Sequence, residues 1–322
     1  MPEMRIRFAS ESMDNNPEIS VIIPLFNEEG NINKLYEELK TILAELTVSY
    51  ELVFIDDGST DDSWSLIDKL AETDQSIKGI RFARNFGQQH ALKAGLDFSK
   101  GQAVISMDAD LQHPPALIKD LYAKWKEGND IVHTLRKKTD GLGFFKGLTS
   151  KLFAYLMNLI SDIKIVEGAS DYRLLDRKVV NEIVELNEYY LFLRGIVNWV
   201  GFKSASVEYV APRRYSGKSK LSFGKMMSYA INGITSFTTK PLRMSMFVGA
   251  VVSLFAFVYI VYAIIIKYVY LQAVPGWTSI LVSVLFLGGI QLLSLGIIGE
   301  YIGKVFFEVK KRPQYIISEK KL

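Results

Sequence analysis

The sequence contains no cysteine and only three histidines. The first absence excludes disulfides, thiolate zinc sites, iron–sulfur clusters and a cysteine nucleophile. The second argues against a metal site built from several imidazoles. Any bound metal is therefore expected to have oxygen ligands, which favours Mg²⁺ or Mn²⁺.

A large excess of charge of either sign is also missing. The 322 residues include 38 Lys and Arg against 35 Asp and Glu, which gives a formal net charge of +3. Proteins that bind nucleic acids usually have a strong basic excess, so we expect no nucleic-acid partner. Hydrophobic residues make up 49% of the chain, enough for a sizeable core, and the length allows roughly two structural units.

Two long segments have no charged side chain at all. They are residues 244–266 and 277–298, joined by a short connector that contains the turn signal Pro275–Gly276. As helices, both segments are long enough to cross a hydrocarbon core of about 30 Å. The alternative is a pair of core helices in a soluble domain, but such long helices, apolar all round, are rare there. The pattern predicts a transmembrane hairpin in a lipid bilayer.

Basic residues flank this hairpin unequally. Lys240 and Arg243 precede it, residues 304–312 after it contain four Lys or Arg, and the connector has only Lys267. The positive-inside rule predicts that both termini are cytoplasmic in a multi-pass protein of the cytoplasmic membrane. Residues 1–17 are polar and lack the apolar region of a signal peptide, so we expect a tail there.

From residue 18 the chain alternates between β-branched runs and amphipathic stretches. Strands are predicted at Ile19–Pro24, Glu51–Asp56, Ile77–Phe82 and Ala103–Asp108, and helices near Ile32–Leu46, Asp62–Glu72 and His90–Phe98. The alternation predicts an α/β domain with a mostly parallel sheet covered on both faces. We expect a tail (1–17), this domain (18–212), a basic interfacial helical segment (213–243), the hairpin (244–298) and a C-terminal tail (299–322).

Acidic motifs follow three of the predicted strands. The first strand runs into PLFNEE (residues 24–29), the second ends in DDGS (56–59) and the fourth in DADLQ (108–112). Each motif alone is a common turn. In a parallel sheet, however, all three would lie at the edge where ligands bind. Because converging like charges destabilise a fold unless a cation or ligand compensates them, the pattern predicts a ligand site.

The segments VIIPLFNEEGN, FIDDGSTD and MDADLQHPP resemble the nucleotide-sugar site of family 2 glycosyltransferases, which have the Rossmann-like GT-A fold. RNFG (84–87), SDYR (170–173) and RYSGKSK (214–220) are similar to the polyprenyl-phosphate branch, which includes dolichol-phosphate-mannose synthases and bacterial GtrB-like enzymes. The resemblance covers about residues 18–312. It implies inverting transfer of a hexose from a UDP-sugar to a polyprenyl phosphate such as undecaprenyl phosphate, for cell-envelope glycan modification. It also implies a homo-oligomer, since the similar enzymes include tetramers.

The resemblance further implies the residues of the donor site. Asp110 is the expected first ligand of Mg²⁺ or Mn²⁺, with Asp108 and Gln112 beside it. The nucleotide sugar is expected to contact Pro24, Asn27, Glu28, Asp56, Asp57, Asp108 and Gln112. For Asp57, capping of a helix or turn is an equally good interpretation.

The acceptor phosphate is expected to meet basic groups, because Arg and Lys bind phosphate oxygens. The candidates are Arg136, Arg173, Arg214, Lys218, Ser219 and Lys220. A patch for anionic membrane lipids is a compatible interpretation of residues 213–220. Asp110 and Arg214 are expected to be catalytic. Asp171 is the third catalytic candidate, either as a base or as a group that orients Arg173.

Other functions fit the sequence less well. A processive polysaccharide synthase would need a QxxRW motif, which is absent, and a dehydrogenase would need a different glycine spacing after the first strand. A catalytically inactive membrane scaffold would not need the intact Asp108, Asp110, Asp171 and Arg214. Similarity to the GtrB-like enzymes favours glucose as the sugar, while N-acetylglucosamine, galactose and modified arabinose remain open.

Overall fold

The computed structural model describes residues 16–136, 168–186, 188–189, 191–210, 238–268 and 276–322. The chain divides into two compact units. One holds an eight-stranded sheet and includes Pro313–Leu322, and the other holds two long helices. Most of the predicted basic interfacial segment lies outside the described residues, and so do Arg214, Lys218, Ser219 and Lys220.

The described residues form strands and helices in the predicted alternation. The strands are β1 (Ile19–Leu25), β2 (Tyr50–Asp56), β3 (Ile77–Phe82), β4 (Ala103–Ser106), β5 (Ile131–Arg136), β6 (Ala169–Asp176), β7 (Ser204–Tyr209) and β8 (Ile317–Lys321). The helices are α1 (Glu29–Leu46), α2 (Ser63–Thr73), α3 (Gln88–Phe98), α4 (Ile118–Lys126), α5 (Arg177–Glu185), α6 (Leu193–Trp199), α7 (Lys240–Tyr268) and α8 (Trp277–Lys310).

The strand order in the sheet is β7-β5-β6-β4-β1-β2-β3-β8. Only β6 and β8 run antiparallel to their neighbours. Helices α1, α2 and α4 cover one face, and α3, α5 and α6 cover the other. Because both faces are covered, every residue of β1 is buried. The predicted α/β fold with a mostly parallel sheet is confirmed.

The ends of the central parallel strands lie at one edge of the sheet. Leu25 at the end of β1 is opposite Asp56 at the end of β2, and Ile22 is opposite Ser106 at the end of β4. Strand β4 is shorter than predicted, because the Asp108 amide donates to Nδ1 of His113 at 2.9 Å instead of continuing the sheet. The acidic motifs therefore meet at this edge.

Helices α7 and α8 include the two uncharged segments and extend beyond them. Their apolar side chains are exposed, with Phe247 68% and Leu292 72% accessible. The two helices pack against each other, and the Tyr301 hydroxyl donates to the Thr238 carbonyl at 2.6 Å. Two exposed apolar helices of this length are suited to a bilayer.

The C-terminal region differs from the predicted tail (299–322). Helix α8 continues to Lys310, since no Gly–Pro or other strong breaker interrupts it, and it ends where Lys311 adopts a left-handed conformation. Strand β8 then pairs with β3. Tyr315 anchors this return by stacking on Phe82, with ring centroids 5.0 Å apart. The uncharged run at residues 277–298 predicted the apolar segment of α8 but not the point where the helix ends.

Gly58 allows close packing of two loops beside the acidic edge. Its φ is +71°, and a Cβ there would lie 2.5 Å from the backbone carbon of Arg84. Gly128 has a similar φ of +85° but open space around it. Substitutions at Gly58 and Gly128 can therefore be compared to separate the cost of the backbone conformation from the cost of a steric clash.

We expect Gly58→Ala to destabilise the protein more than Gly128→Ala. The left-handed conformation costs each variant about 1–2 kcal/mol. Forcing the Arg84 backbone aside adds about 1–3 kcal/mol at Gly58 alone. Denaturant unfolding of the purified variants measures the difference. Equal losses would contradict the close approach of the two loops.

Candidate active site

The loop after β1 is tied to the loop after β2. Asn27 has φ 54°, a conformation that Asn tolerates better than most residues. Its amide donates to Ser59 Oγ at 2.9 Å, and its Oδ1 accepts from the Thr60 amide at 2.8 Å. The Glu28 amide donates to Ser63 Oγ. The Asn27 side chain therefore joins the two loops, whereas the Glu28 carboxylate stays partly exposed at the edge.

The two adjacent carboxylates after β2 have different surroundings. Asp56 is fully buried, and its Oδ1 accepts from the Ser59 amide at 2.8 Å. Within the described residues its Oδ2 has no hydrogen-bond donor. Asp57 instead accepts from the amides of Phe86 and Gly87 at 2.6 and 2.9 Å. Asp57 thus holds the loop that leads into α3, while the buried Oδ2 of Asp56 has no hydrogen-bond donor among the described residues.

Burial raises the pKa of both carboxyls. For Asp56, the burial effect exceeds that of the hydrogen bonds from Ser59 and the nearby charge of Arg81. For Asp57, burial raises the pKa to about 6 despite the two amide donors. Burial therefore disfavours the ionised form of both carboxyls, and a ligand that donates a hydrogen bond to Asp56 would stabilise that form.

The loop after β4 carries the predicted metal-binding motif. Asp108 Oδ1 accepts from Gln88 Nε2 at 2.6 Å, and Asp110 Oδ1 accepts from the Gln112 amide at 3.1 Å. Asp108, Asp110 and Gln112 are all partly exposed. The loop is therefore held by local hydrogen bonds while its carboxylates remain accessible from solvent.

His113 supports the loop after β4 through a hydrogen bond and a ring contact. Its Nδ1 accepts the Asp108 amide, and its ring stacks on Tyr172 with centroids 5.0 Å apart. The Tyr172 hydroxyl donates to the Pro114 carbonyl at 2.9 Å. Both aromatic side chains are buried. His113 is thus a structural part of the site, which explains a histidine at this position without metal binding.

The carboxylates of Asp108 and Asp110 could supply some, but not all, of the ligands of a divalent cation. The pKa of Asp108 is raised by burial, opposed by His113, and raised further by the charges of Asp171 and Asp110. Within the described residues no three His, Asp or Glu side chains form a metal-binding group. Asp108 and Asp110 could supply two oxygen ligands. Phosphate oxygens and water would complete the shell, as is usual for Mg²⁺ bound with a nucleotide.

Asp171 is paired with two arginines. Arg194 donates from Nε to Oδ1 and from a terminal nitrogen to Oδ2, both at 2.9 Å, and Arg173 donates to Oδ1 at 2.8 Å. Burial alone would raise the pKa of Asp171, but the two guanidinium groups, Arg194 first, hold it at about 2. Asp171 is therefore ionised at neutral pH and is a weak proton acceptor. This geometry favours the orienting role over the base.

Of the predicted acceptor contacts, Arg136 and Arg173 are among the described residues, and they differ in exposure. Arg173 is 4% exposed and also donates to the Ser170 carbonyl. It lies in β6 opposite His133, whose pKa is lowered to about 4 by burial and by Arg173, so the imidazole is neutral. Arg136 is exposed at the end of β5. Pro24 of the predicted donor set is buried within β1.

Sequence reasoning missed Arg194 and Gln88, which position Asp171 and Asp108. Neither belongs to a recognised motif. The only available signal for Arg194 was a single charge within the apolar run LFLRGIV (191–197). Gln88 begins α3, and only the fold brings it to the loop after β4.

Comparisons with known proteins identify the family of the chain. Residues 20–184 match the model of glycosyl transferase family 2, and residues 240–305 match the GtrB C-terminal hairpin. The bactoprenol glucosyl transferase of Shigella phage SfV is 43% identical, over 94% of this chain and 99% of the relative. The prophage bactoprenol glucosyl transferase homolog of Escherichia coli (strain K12) gives the same values.

The glycosyltransferase sll0501 of Synechocystis is 40% identical, over 94% of this chain and 95% of the relative. Among solved structures, glucosyl-3-phosphoglycerate synthase from Mycobacterium tuberculosis has a TM-score of 0.47 and 21% identity, and the match covers 68% of this chain and 79% of that one. The chain belongs to glycosyl transferase family 2. It is a glycosyltransferase, and its hairpin indicates that it is membrane-associated.

We expect Asp171→Asn to destabilise the protein at pH 7 by about 3–5 kcal/mol, because it leaves the buried Arg173 without its counter-charge. The pKa of about 2 lies below the ordinary value of 3.8. The ionised carboxylate therefore stabilises the fold fully above its unfolded-state pKa, and this contribution is lost as pH falls from there towards 2. Denaturant unfolding at pH 7 and at about pH 3 measures both effects.

Glu127→Gln is the matched control. It removes an exposed ion pair with Lys124, and such pairs contribute about 0–1 kcal/mol. Equal losses in the two variants, or a difference for Asp171→Asn that stays constant with pH, would contradict the charge pairing.

Proposed function

We propose that the protein transfers glucose from UDP-glucose to a polyprenyl phosphate such as undecaprenyl phosphate. The observation that carries the proposal is that a carboxylate-lined sheet edge and an exposed apolar helix pair occur in one chain. That chain aligns almost end to end with relatives named bactoprenol glucosyl transferase. The product would supply glucose for modification of a cell-envelope glycan.

The donor nucleotide lies across the ends of β1, β2 and β4 in this proposal. Asp56 Oδ2, which has no hydrogen-bond donor among the described residues, is suited to accept an N–H of uracil, and Glu28 can accept from ribose hydroxyls. Asp57 and Asn27 act indirectly, since they hold the loops that carry these groups. Among the predicted donor-site residues that the structure describes, Asp56 is thus the best candidate for a direct hydrogen bond to the base.

Asp110, Asp108 and Gln112 would hold a divalent cation against the diphosphate. Such a cation, Mg²⁺ or Mn²⁺, stabilises the charge that develops on the leaving diphosphate. Asp108 and Asp110 are partly exposed carboxylates, and the charge of Asp110 is one of the effects that raise the pKa of Asp108. Gln88 and His113 fix the orientation of the loop that presents them.

The acceptor phosphate is largely a dianion at neutral pH, so it needs positioning more than a base. Arg136, Arg173, Arg214, Lys218, Ser219 and Lys220 remain the predicted contacts. Arg214 is proposed as the main one, since its fork matches phosphate oxygens. Asp171 orients Arg173 and Arg194 on the acceptor side. A direct displacement by the phosphate inverts the anomeric carbon and gives a β-linked product from an α-linked donor.

The topology follows from the flanking charges and from β8. The pairing of β8 with β3 in one sheet supports a topology in which the chain before α7 and the chain after α8 lie on the same side of the membrane. The basic flanks favour the cytoplasmic side, where nucleotide sugars are available. A homo-oligomer, a tetramer in similar enzymes, is part of the proposal.

Transfer can be tested with full-length protein in nanodiscs. We expect transfer to undecaprenyl phosphate from UDP-glucose in preference to UDP-GlcNAc, UDP-galactose and a modified arabinose donor, with Mg²⁺ or Mn²⁺ and not with EDTA. NMR should find a β linkage. Asp110→Ala should abolish most transfer because it removes a ligand of the cation, and Asp110→Asn separates charge from size. Preference for another sugar would revise the donor, and no transfer from any donor would favour an inactive scaffold.

Cysteine labelling tests the topology, since the natural chain has no cysteine. An impermeant thiol reagent applied to intact cells should label Gln272→Cys in the connector and spare Ser318→Cys in β8. The reverse pattern would overturn both the topology and the use of a cytosolic donor.

A further inference from the structure

The C-terminal strand brings a carboxylate next to the donor edge. In the β3–β8 pair, Glu319 lies opposite Arg81. Its Oε1 accepts from a terminal nitrogen of Arg81 at 2.8 Å, and its Oε2 accepts from Trp64 Nε1 at 3.1 Å. Both oxygens of Glu319 are therefore bound by groups from the N-terminal part of the chain.

Arg81 lies between two carboxylates. On its other side, its Nε is 3.5 Å from Asp56 Oδ2, too far for a good hydrogen bond. That oxygen is the one that has no hydrogen-bond donor within the described residues. Arg81 thus lends positive charge to Asp56 without occupying its acceptor.

We propose that Glu319 is a positioning residue of the donor site, which holds Arg81 away from Asp56 Oδ2 and so keeps that oxygen free for a nucleobase N–H. The inference rests on the proposed function, in which Asp56 binds the base of the donor nucleotide. Without Glu319, the guanidinium would close onto the carboxylate, because charge-assisted hydrogen bonds are strongest near 2.7–2.9 Å. The donor would then have to displace an internal ion pair.

Strand β8 has anchors other than Glu319. Tyr315 stacks on Phe82 and donates its hydroxyl hydrogen bond to Asp97 at 2.7 Å. Lys321 pairs with Asp68 at 3.0 Å. These contacts and the backbone pairing are independent of the Glu319 charge. A substitution of Glu319 therefore tests the contact with Arg81 while β8 stays in the sheet.

The first test is Glu319→Gln in the full-length protein. We expect the dissociation constant for UDP and the KM for the donor to rise roughly tenfold, as for competition with one charge-assisted hydrogen bond. The kcat should be nearly unchanged, because the reacting atoms are not touched. The matched control is Lys321→Ala, which removes an exposed ion pair on the same strand and should leave donor KM unchanged.

The double variant Glu319→Gln/Arg81→Gln separates positioning from structural support. With no guanidinium to occupy Asp56 Oδ2, donor KM should return towards the wild-type value. A purely structural role for Glu319 would give a double variant as weak as the single variant or weaker. Assays at pH 8 limit protonation of Asp56, whose pKa burial raises.

The variant Asp56→Ala distinguishes failure of the donor-site assignment from failure of the positioning role of Glu319. If it abolishes UDP binding while Glu319→Gln changes neither UDP affinity nor donor KM, the role of Glu319 is overturned and the donor site stands. If Asp56→Ala leaves UDP affinity unchanged, the donor assignment fails, and the role of Glu319 fails with it. A return of KM in the double variant, with loss of binding in Asp56→Ala, supports both.

Discussion

Negative charge concentrated at one edge of the sheet is the constraint on which the rest of the catalytic unit depends. The ends of the parallel strands β2 and β4 bring Asp56 and Asp108 to this edge, and the start of the antiparallel strand β6 brings Asp171 there. Like charges this close destabilise a fold unless they are paired or neutralised. The chain solves the problem differently for each carboxylate, and those differences indicate which groups can still bind a ligand.

Among the described residues, Asp171 and Asp57 accept hydrogen bonds on both carboxylate oxygens, whereas Asp56 accepts on one. Two guanidinium groups neutralise Asp171, and two loop amides bind Asp57. The other oxygen of Asp56 lies 3.5 Å from Nε of Arg81, and no described group donates a hydrogen bond to it. A buried acceptor without a hydrogen bond destabilises a fold, so Oδ2 of Asp56 calls for an explanation, and a bound ligand that donates to it would supply one.

Local patterns in the sequence predicted the strands, the sheet class, the acidic edge and the uncharged helices, because each depends on nearby residues or on strand direction. The roles of Arg194, Gln88 and His113 could not be predicted in this way. Each acts through a hydrogen bond whose geometry exists only after distant elements pack. For Asp57, donor binding and turn capping were equally good interpretations of the sequence. The positions of the Phe86 and Gly87 amides favour capping.

Strand β8 is the clearest case of such non-local structure. Glu319 and Arg81 are separated by 238 positions, and all of α7 and α8 lies between them. Contacts of this range close a long loop and contribute late in folding. The last strand is also translated last, so the edge of β3 stays unpaired until both apolar helices have been synthesised. An open sheet edge invites wrong pairing, and β8 covers the edge of β3 and becomes the outer strand on the side of the proposed nucleobase. Because β8 follows α7 and α8 in the chain, the sheet and the charge arrangement around Asp56 can be completed only after the membrane hairpin has been synthesised.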